Sequence, residues 1–476
     1  MNQQDHTHGP EPDRPGGHRT RSPRRWWAVG LAGVTGLALT TVGIAATPAA
    51  DAIGRALTTD NRTDTPHQPN ADNRDKHSDS QGNHDDQGKG NGKSEGNGKG
   101  KKEKKPPGTP VPCDADALIA AITLANARGG ATLDLAKGCT YLLTADIAGA
   151  GLPAITTPIT LNGHTHTTIE RAAAVDEFRI LTVNVGGDLT LNKLKITGGQ
   201  TTGDGGGILV DPGGTLTTNH STITRNIADG AGGGIANNGT TTVKHSTVSR
   251  NTAGTTGGGI WNTGLLTATK SDITANLSGA SGGGIQSTNG TLLVDHSRIT
   301  ANQSQTSAGG LESFGGTGMI TNTKITNNTA TAAGGVVANT GQFTARKVLI
   351  ANNTATTGLA GGMNVNPNTS AVVEDSTIKN NTAAANGGGI FNFSSLVVRD
   401  SKVIGNQSGN QGGGILNGIT GTLTLFNTQV VKNIAAAEGG GIYNFVPGVV
   451  NLNLATGTVV VKNRPDNCVN VPECVG

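Results

Sequence analysis

The sequence predicts an all-β fold, a right-handed single-stranded parallel β-helix of about 13 coils with a short N-terminal capping helix. Three observations support this prediction. A glycine-rich word recurs every 25 to 27 residues through the second half of the chain. Each repeat contains three short stretches rich in Thr, Val, Ile and Leu, in which apolar and polar residues alternate. Hydrophobic residues make up 34% of the chain and aromatic residues only 3%, which argues against a single compact core.

The recurring word is GGGI or a close variant of it. Complete copies end at Ile208, Ile235, Ile260, Ile285, Ile390, Ile415 and Ile442, and degenerate copies (AGGL, AGGV, AGGM) end at Leu311, Val336 and Met363. Three strands per repeat describe one coil of a β-helix, in which equivalent residues of successive coils stack about 4.8 Å apart. The isoleucine column should therefore form an inner wall, and the glycines should lie at a corner where a side chain would clash with the neighbouring coils.

A second column carries asparagine three residues after an apolar position. Its members are Asn226, Asn251, Asn276, Asn302, Asn328, Asn353, Asn381, Asn406, Asn433 and Asn463. Stacked carboxamides can hydrogen-bond from coil to coil, and asparagine tolerates the left-handed backbone that a sharp corner demands. A ligand-binding groove is the alternative interpretation of such a polar column. We expect a structural ladder.

These words resemble a known repeat family. GGGI with a downstream Asn is similar to the GGA[ILV] and FxxN repeats of polymorphic outer-membrane proteins, over about residues 200–465, with IleThrArgAsn at 223–226 in place of FxxN. The segment CDADALIAAITLANARGGATLDLAKGCTYLLT (113–144) and PDNC (465–468) resemble the ends of secreted actinobacterial β-helix proteins in the pectate-lyase-like superfamily. The resemblance implies the fold and leaves the activity open.

The N-terminal part of the chain differs from the repeats. Residues 1–52 combine a basic segment, an apolar run and small residues suited to cleavage, which is typical of an export signal; an uncleaved membrane anchor is the alternative. Residues 53–112 are low in complexity and rich in Gly, Asn, Asp and Lys, as in a flexible linker. We therefore expect a secreted or extracellular protein associated with the cell surface, which contacts a membrane only through an uncleaved N-terminal segment.

Both ends of the predicted β-helix (132–465) need protection. Residues 113–131 should form a capping helix that begins after Asp114, and 466–476 a disulfide-closed tail. The four cysteines permit three pairings, and proximity in sequence favours Cys113–Cys139 and Cys468–Cys474. Disulfides agree with an exported protein.

Carboxylates are too sparse in the repeats to indicate an active site clearly. The best candidates for catalysis are Asp375 and Asp400, which occupy the same position in successive coils, and the neighbouring Arg399. As a polysaccharide lyase or glycoside hydrolase the protein could use these groups, and the two aspartates could share Ca²⁺. A solvated turn is the alternative, and no cofactor is otherwise indicated. His220 and His245 should also stack and could bind a transition metal, although exposed turn histidines are common.

Three aromatic residues are the candidates for ligand binding. Trp261, Phe391 and Tyr443 each follow a GGGI-type isoleucine, so the alternation points them outward on one face. Exposed aromatic side chains suit sugar stacking or a protein partner. GlyHisThrHis at 163–166 resembles the GHG motif of polygalacturonases but lacks its second glycine, and we do not assign it a role.

Charge excludes one class of partner. Of the 36 Lys and Arg, 16 precede residue 113, and of the 33 Asp and Glu, 13 do, which leaves 36 − 16 = 20 basic and 33 − 13 = 20 acidic residues in the remainder. A neutral body gives no electrostatic indication of nucleic-acid binding. We predict a non-catalytic surface protein for adhesion or contact with cell-wall or other extracellular polysaccharide, or with a host or neighbouring cell. The alternative is a lyase or hydrolase of acidic polysaccharide.

Overall fold

The computed structural model of the chain describes residues 108–475. The predicted export signal (1–52) lies outside the described residues, as does the predicted linker (53–112) up to residue 107. The last residues of that linker range include a strand, Thr109–Val111, which pairs in parallel with Ala131–Leu135.

The described chain is a right-handed parallel β-helix of about 14 turns, which confirms the predicted fold class. Each complete coil passes through four sheets, one more than the three strands predicted, because a two-residue strand such as Ile227–Ala228 also pairs from coil to coil. The sheets are numbered 1 to 4 in the order in which the chain visits them. One coil runs through Thr215–Asn219, Thr222–Thr224, Ile227–Ala228 and Ile235–Asn237 before it returns to sheet 1 at Thr240. Every strand pairs in parallel with its equivalents in neighbouring coils, so identical repeat positions stack.

The first two sheets contain 14 and 13 strands. Sheet 1 consists of Thr109–Val111, Ala131–Leu135, Pro158–Asn162, Asp188–Asn192, Thr215–Asn219, Thr240–Lys244, Leu265–Thr269, Thr291–Asp295, Thr317–Thr321, Gly341–Arg346, Thr369–Glu374, Ser395–Arg399, Thr422–Phe426 and Val449–Asn451. Sheet 2 consists of Thr140–Leu143, Thr168–Arg171, Lys195–Thr197, Thr222–Thr224, Thr247–Ser249, Asp272–Thr274, Arg298–Thr300, Lys324–Thr326, Leu349–Ala351, Thr377–Lys379, Lys402–Ile404, Gln429–Val431 and Val459–Val461.

The other two sheets contain 10 and 12 strands. Sheet 3 consists of Gln200–Thr201, Ile227–Ala228, Thr252–Ala253, Leu277–Ser278, Gln303–Ser304, Thr329–Ala330, Thr354–Ala355, Thr382–Ala383, Gln407–Ser408 and Ile434–Ala435. Sheet 4 consists of Leu181–Val183, Ile208–Val210, Ile235–Asn237, Ile260–Asn262, Ile285–Thr288, Leu311–Phe314, Val336–Asn339, Met363–Val365, Ile390–Asn392, Ile415–Asn417, Ile442–Asn444 and Cys468–Val469.

The described residues contain one α-helix, α1 (Ala115–Ala127), and one 3₁₀ turn, Leu454–Thr456. Asp114 caps α1, because its carboxylate accepts a hydrogen bond from the backbone N–H of Ala117 at 2.8 Å. Leu118, Ile122 and Ala125 of α1 are buried and belong to the main core at its N-terminal end. Within residues 108–475, no helix has the length and apolar character needed to cross a membrane.

Disulfides join Cys113 to Cys139 and Cys468 to Cys474, the pairings that proximity in sequence favours. The first links the residue before the α1 cap to the first coil. The second closes the tail, and its Cys468 pairs with Ile442 at the last strand of sheet 4. Both bonds therefore lie at the ends of the β-helix, where fewer neighbouring strands hold the chain.

The asparagine column forms a continuous ladder at the corner between sheets 2 and 3. In a typical rung, the Asn328 carboxamide oxygen accepts from the backbone N–H and Nδ2 of Asn302 at 2.9 and 3.1 Å. Asn328 Nδ2 donates in turn to Oδ1 of Asn353 and to the carbonyl of Ile299, both at 3.0 Å. All ten asparagines are buried. The ladder thus satisfies polar groups that would otherwise be stranded in the core.

The left-handed backbone at this corner belongs to the residue before each ladder asparagine. Arg225 and Arg250, for example, have φ of 55° and 54°, whereas none of the ten ladder asparagines has a positive φ. The expectation that the ladder asparagines themselves adopt the left-handed conformation is therefore wrong. The ladder needs asparagine for its carboxamide, and the preceding residue makes the turn.

The glycines lie in the connection from sheet 3 to sheet 4, as predicted. Gly232 adopts φ of 68°, which strains any residue with a side chain. A Cβ on Gly234 would lie 2.6 Å from the carbonyl oxygen of Gly259 in the next coil and 2.8 Å from Nδ2 of Asn251. Crowding between coils and the positive φ together explain why this word is retained through the repeats.

Candidate functional site

Two of the three predicted catalytic candidates, Asp375 and Arg399, belong to a surface network of ion pairs. The Arg346 guanidinium lies 3.7 Å from the Glu374 carboxylate and 3.5 Å from the Asp375 carboxylate. Arg399, in the following coil, lies 3.5 Å from the other oxygen of Glu374. Two arginines therefore enclose Glu374 from the coils on either side, and the charges of the network largely cancel.

Asp400 does not complete a cation site with Asp375. Its carboxylate accepts a hydrogen bond from Asn427 Nδ2 at 2.7 Å, on the side away from Asp375. Within residues 108–475, no three His, Cys, Asp or Glu side chains come together in a way that could hold a metal ion. The geometry therefore favours the solvated, charge-balanced turn over a catalytic or Ca²⁺-binding cluster.

His220 and His245 stack as expected from their positions. Their ring centroids are 4.8 Å apart and their planes differ by 2°. Both residues have positive φ at the corner between sheets 1 and 2, and both are exposed. The structure brings the two imidazoles together without a third ligand residue for a metal ion among the described residues.

The three predicted ligand-binding aromatics lie in one outward column of sheet 4. This column also contains Leu209, Ala236, Gln286, Glu312, Val337, Asn364 and Leu416. Trp261 precedes Gln286 and Glu312 in successive coils, whereas Phe391 and Tyr443 lie in the later coils, on either side of Leu416. The shared face was therefore predicted correctly, but Trp261 is separate from the other two aromatics.

The expectation that Phe391 is exposed is wrong. Only 3% of its surface is accessible, and Trp261 and Tyr443 are half-buried. The cause lies in the connection from sheet 3, which runs beside the column. The first glycine of each GGGI word faces the outward residue, and a Cβ on Gly387 would lie 2.9 Å from Cβ of Phe391. The side chain of Phe391 therefore packs against this backbone wall.

A group of residues here called the aromatic patch surrounds Phe391 and Tyr443; it comprises Phe391, Phe393, Leu416, Tyr443 and Phe445. The rings of Phe391 and Phe393 have centroids 4.4 Å apart, and those of Tyr443 and Phe445 are 4.9 Å apart. The two pairs lie two coils apart, about 10 Å at ~4.8 Å per coil. Phe393, Tyr443 and Phe445 are half-buried and form the accessible part of the patch.

Glu312 is a feature of this column that the sequence analysis missed. Only 5% of its surface is accessible, and burial raises the pKa of its carboxyl group, against hydrogen bonds from Ser281 and Asn339 that lower it. Its Oε2 has no hydrogen-bond partner, and neither has Oε1 of Gln286, the residue paired with it in the preceding coil. Glu312 and Gln286 thus each leave one buried oxygen without a donor among the described residues. The sequence signal was available, since Glu312 is the acidic residue among the positions that follow the GGGI-type words.

Comparisons with known proteins add little to this geometry. No protein-family model matches the chain, and no curated protein matches it. Among solved structures, the A-module of mannuronan C-5 epimerase AlgE6 from Azotobacter vinelandii matches with a TM-score of 0.27 and 13% identity, over 72% of this chain and 92% of that module. At this level of similarity the match assigns no activity to the chain.

Proposed function

We propose that the chain is an exported cell-surface or secreted β-helix protein that contacts carbohydrate without catalysis, and that the aromatic patch is its contact surface. The observation that carries this proposal is the arrangement of two aromatic pairs on one face of sheet 4. Sugar rings present apolar C–H faces and polar edges, so they suit aromatic side chains with a polar group such as the Tyr443 hydroxyl nearby. A rigid sheet holds both pairs in place before a ligand arrives, which lowers the entropic cost of binding.

The resemblance of the repeats to those of outer-membrane proteins and secreted actinobacterial β-helix proteins supports the surface location. The two disulfides support it as well, because such bonds persist in oxidising compartments. The partner under this proposal is a cell-wall or extracellular polysaccharide.

A glycan-binding assay with variants of the accessible aromatic residues tests this function. We expect the double substitution Phe393→Ala/Phe445→Ala to weaken binding to the polysaccharides that the unsubstituted protein binds, because it removes one accessible ring from each pair. Phe426→Ala is the matched control, since Phe426 is 37% exposed on sheet 1. Equal binding by all three proteins, or no binding to any polysaccharide by the unsubstituted protein, would exclude the proposal.

Glu312 supports the alternative, a polysaccharide lyase or hydrolase. A carboxyl group that retains its proton can act as a general acid, and Glu312 shares its column with Trp261 and the aromatic patch. Among the outward positions of sheet 4 that follow the GGGI-type words, however, no second carboxylate accompanies it. Release of reducing ends or unsaturated sugars by the unsubstituted protein, lost in Glu312→Gln, would establish the enzyme in place of the binding protein.

A further inference from the structure

The first coils carry a cleft whose lining residues were not grouped as a site from the sequence. It lies at the corner between sheets 1 and 2 and has a volume of about 450 Å³. Its lining includes five basic or imidazole side chains, those of His164, His166, Lys193, Lys195 and His220. We call this site the basic cleft.

A local insertion creates one wall of the basic cleft. Asn162 pairs with Asn192, and Thr168 pairs with Lys195. Five residues (163–167) separate Asn162 from Thr168, whereas only two (193–194) separate Asn192 from Lys195. The three additional residues form a bulge that carries His164 and His166. Thr167 fixes the bulge, because its hydroxyl accepts from the His164 backbone N–H at 3.1 Å and donates to the Ala136 carbonyl at 2.9 Å.

Basic and imidazole side chains continue beyond the cleft along the same corner. In five successive coils the residue with positive φ at this corner is basic or an imidazole, in the order His166, Lys193, His220, His245 and Lys270. Four steps of ~4.8 Å give this run a length of about 19 Å. The next coil also carries an imidazole at this corner, but the His296 ring is paired with Asp295 at 2.6 Å, so the side chains without a carboxylate partner end before it.

The lysines of the cleft and the run are not paired with carboxylates of the described residues. Within residues 108–475, no carboxylate lies within 4 Å of the charged atoms of Lys193, Lys195 or Lys270. On the strands of sheet 2 in these coils the carboxylates are Glu170, which Arg171 follows, and Asp272, which Arg298 binds. The arrangement contrasts with the network around Glu374, where arginines and carboxylates already balance. Lysine side chains without a carboxylate partner, spaced along one line with imidazole N–H groups between them, favour anions that repeat along that line.

We propose that the basic cleft and the run that continues from it bind the carboxylate or sulfate groups of a linear acidic polysaccharide. The inference rests on the proposed function in the choice of a carbohydrate, and it adds that the carbohydrate is acidic. The cleft itself favours sugar over nucleic acid. Its other lining residues include Thr165, Thr167, Thr168 and Thr222, whose hydroxyls suit sugar hydroxyls, and it contains no aromatic platform for bases apart from imidazoles.

The residues found elsewhere in the column at the corner between sheets 1 and 2 show which substitutions the turn tolerates. Asn322 and Asn427 occupy the same column in later coils with φ of 49° and 42°. Lys193→Asn/His220→Asn therefore removes basic side chains from the cleft without changing the turn. Lys347→Asn/His296→Asn is the matched control, since it makes the same changes in the same column outside the basic run.

The experiment measures binding of polygalacturonate, dextran sulfate, neutral dextran and single-stranded DNA at low and high salt. We expect the cleft variant to lose at least about tenfold in affinity for one or both acidic polysaccharides, the control to change less than about twofold, and high salt to weaken binding. The carboxylated and sulfated polymers distinguish the two anionic groups.

Equal affinity of both double variants for the acidic polymers, or binding of the DNA but of neither acidic polysaccharide, would overturn the inference. Failure of the proposed function would appear differently, because Phe393→Ala/Phe445→Ala alters the aromatic patch and leaves the basic cleft intact. Loss of binding in the aromatic variant alone supports the proposed function and contradicts the cleft.

Discussion

Two columns of residues run along the β-helix and differ in how much they vary. The inward column at the corner between sheets 2 and 3 is asparagine in ten successive coils. The outward column at the corner between sheets 1 and 2 changes from Lys193 and His220 in the early coils to Asp375 and Asp400 in the later ones. A buried carboxamide must match its neighbours above and below, whereas an exposed side chain must only tolerate the turn. The inward column therefore specifies the fold, and the outward columns are free to carry function.

The largest effect that this comparison predicts comes from breaking the inner ladder. Asn328→Ala leaves the backbone N–H and Nδ2 of Asn302 without the oxygen that accepts from them. Stranding two buried donors should lower the free energy of unfolding by about 3 kcal/mol. Asn327→Ala, one residue earlier and exposed, is the control and should cost about 1 kcal/mol or less, because Ala275 and Ala301 occupy the equivalent position. Urea denaturation followed by circular dichroism measures both, and similar midpoints for the two variants would contradict the ladder's role.

A slightly smaller effect is expected from the glycine corner. In Gly234→Ala the new methyl group would lie 2.6 Å from the Gly259 carbonyl oxygen, so neighbouring coils must move apart. We expect a loss of about 1–3 kcal/mol. At Gly203 the same substitution meets its nearest atom, on the flexible Arg179 side chain, at 3.4 Å, and should cost under about 0.5 kcal/mol. If thermal melting ranks these two variants in the opposite order, crowding does not explain the glycines.

Glu312 tests the distinction between inward and outward columns, because it occupies an outward position and is nevertheless buried. Burial raises the pKa of Glu312, so the folded protein holds this proton more tightly than the unfolded chain does. Stability should therefore fall as the pH rises from the ordinary carboxyl pKa of about 4.3 through the raised folded value. Glu312→Gln removes this dependence.

Melting temperatures measured across this pH range test the expectation for Glu312. The Glu312→Gln variant should gain on the unsubstituted protein as the pH increases. Glu438→Gln, which removes an exposed carboxylate, controls for the loss of one negative charge. A constant difference between Glu312→Gln and the unsubstituted protein would show that Glu312 does not retain its proton.

The smallest effect should come from an exposed ion pair on sheet 2. Arg298 donates two hydrogen bonds to the Asp272 carboxylate, at 2.6 and 2.7 Å, but 63% of the arginine side chain is accessible. Asp272→Asn should therefore cost under about 1 kcal/mol, and the difference should shrink in high salt. A loss as large as that of Asn328→Ala would mean that outward residues also hold the coils together.

The sequence predicts the coil because the same pattern of residues recurs in every repeat. The isoleucine and asparagine columns, the glycine corner and the capping helix all follow from spacing and from alternation along short strands. A second inward feature was equally visible: the residue after each corner position is usually Ser or Thr, as at Ser221 and Ser246. The Ser221 backbone N–H donates to the Ser246 hydroxyl at 3.1 Å, so this column forms a hydroxyl ladder.

Surface features were harder to predict because they depend on what lies beside a strand. Alternation points Phe391 outward, but the neighbouring connection at Gly387 covers it, and no periodicity reports such a contact. The basic cleft depends on three additional residues in one coil. They interrupt the repeat and place His164 and His166 in the lining of the cleft. Candidate sites thus appear where the repeat is interrupted or where an unusual residue occupies an outward position.

Thermal unfolding recorded with and without polygalacturonate tests this division of roles most directly. For Asn226→Ala, in the inner ladder, the account predicts a melting temperature lower by several degrees and an unchanged upward shift on addition of the polymer. For Lys193→Asn/His220→Asn it predicts the melting temperature of the unsubstituted protein and loss of the polymer-induced shift. A shift that persists in the cleft variant, or a melting temperature that falls as far as that of Asn226→Ala, would contradict the account.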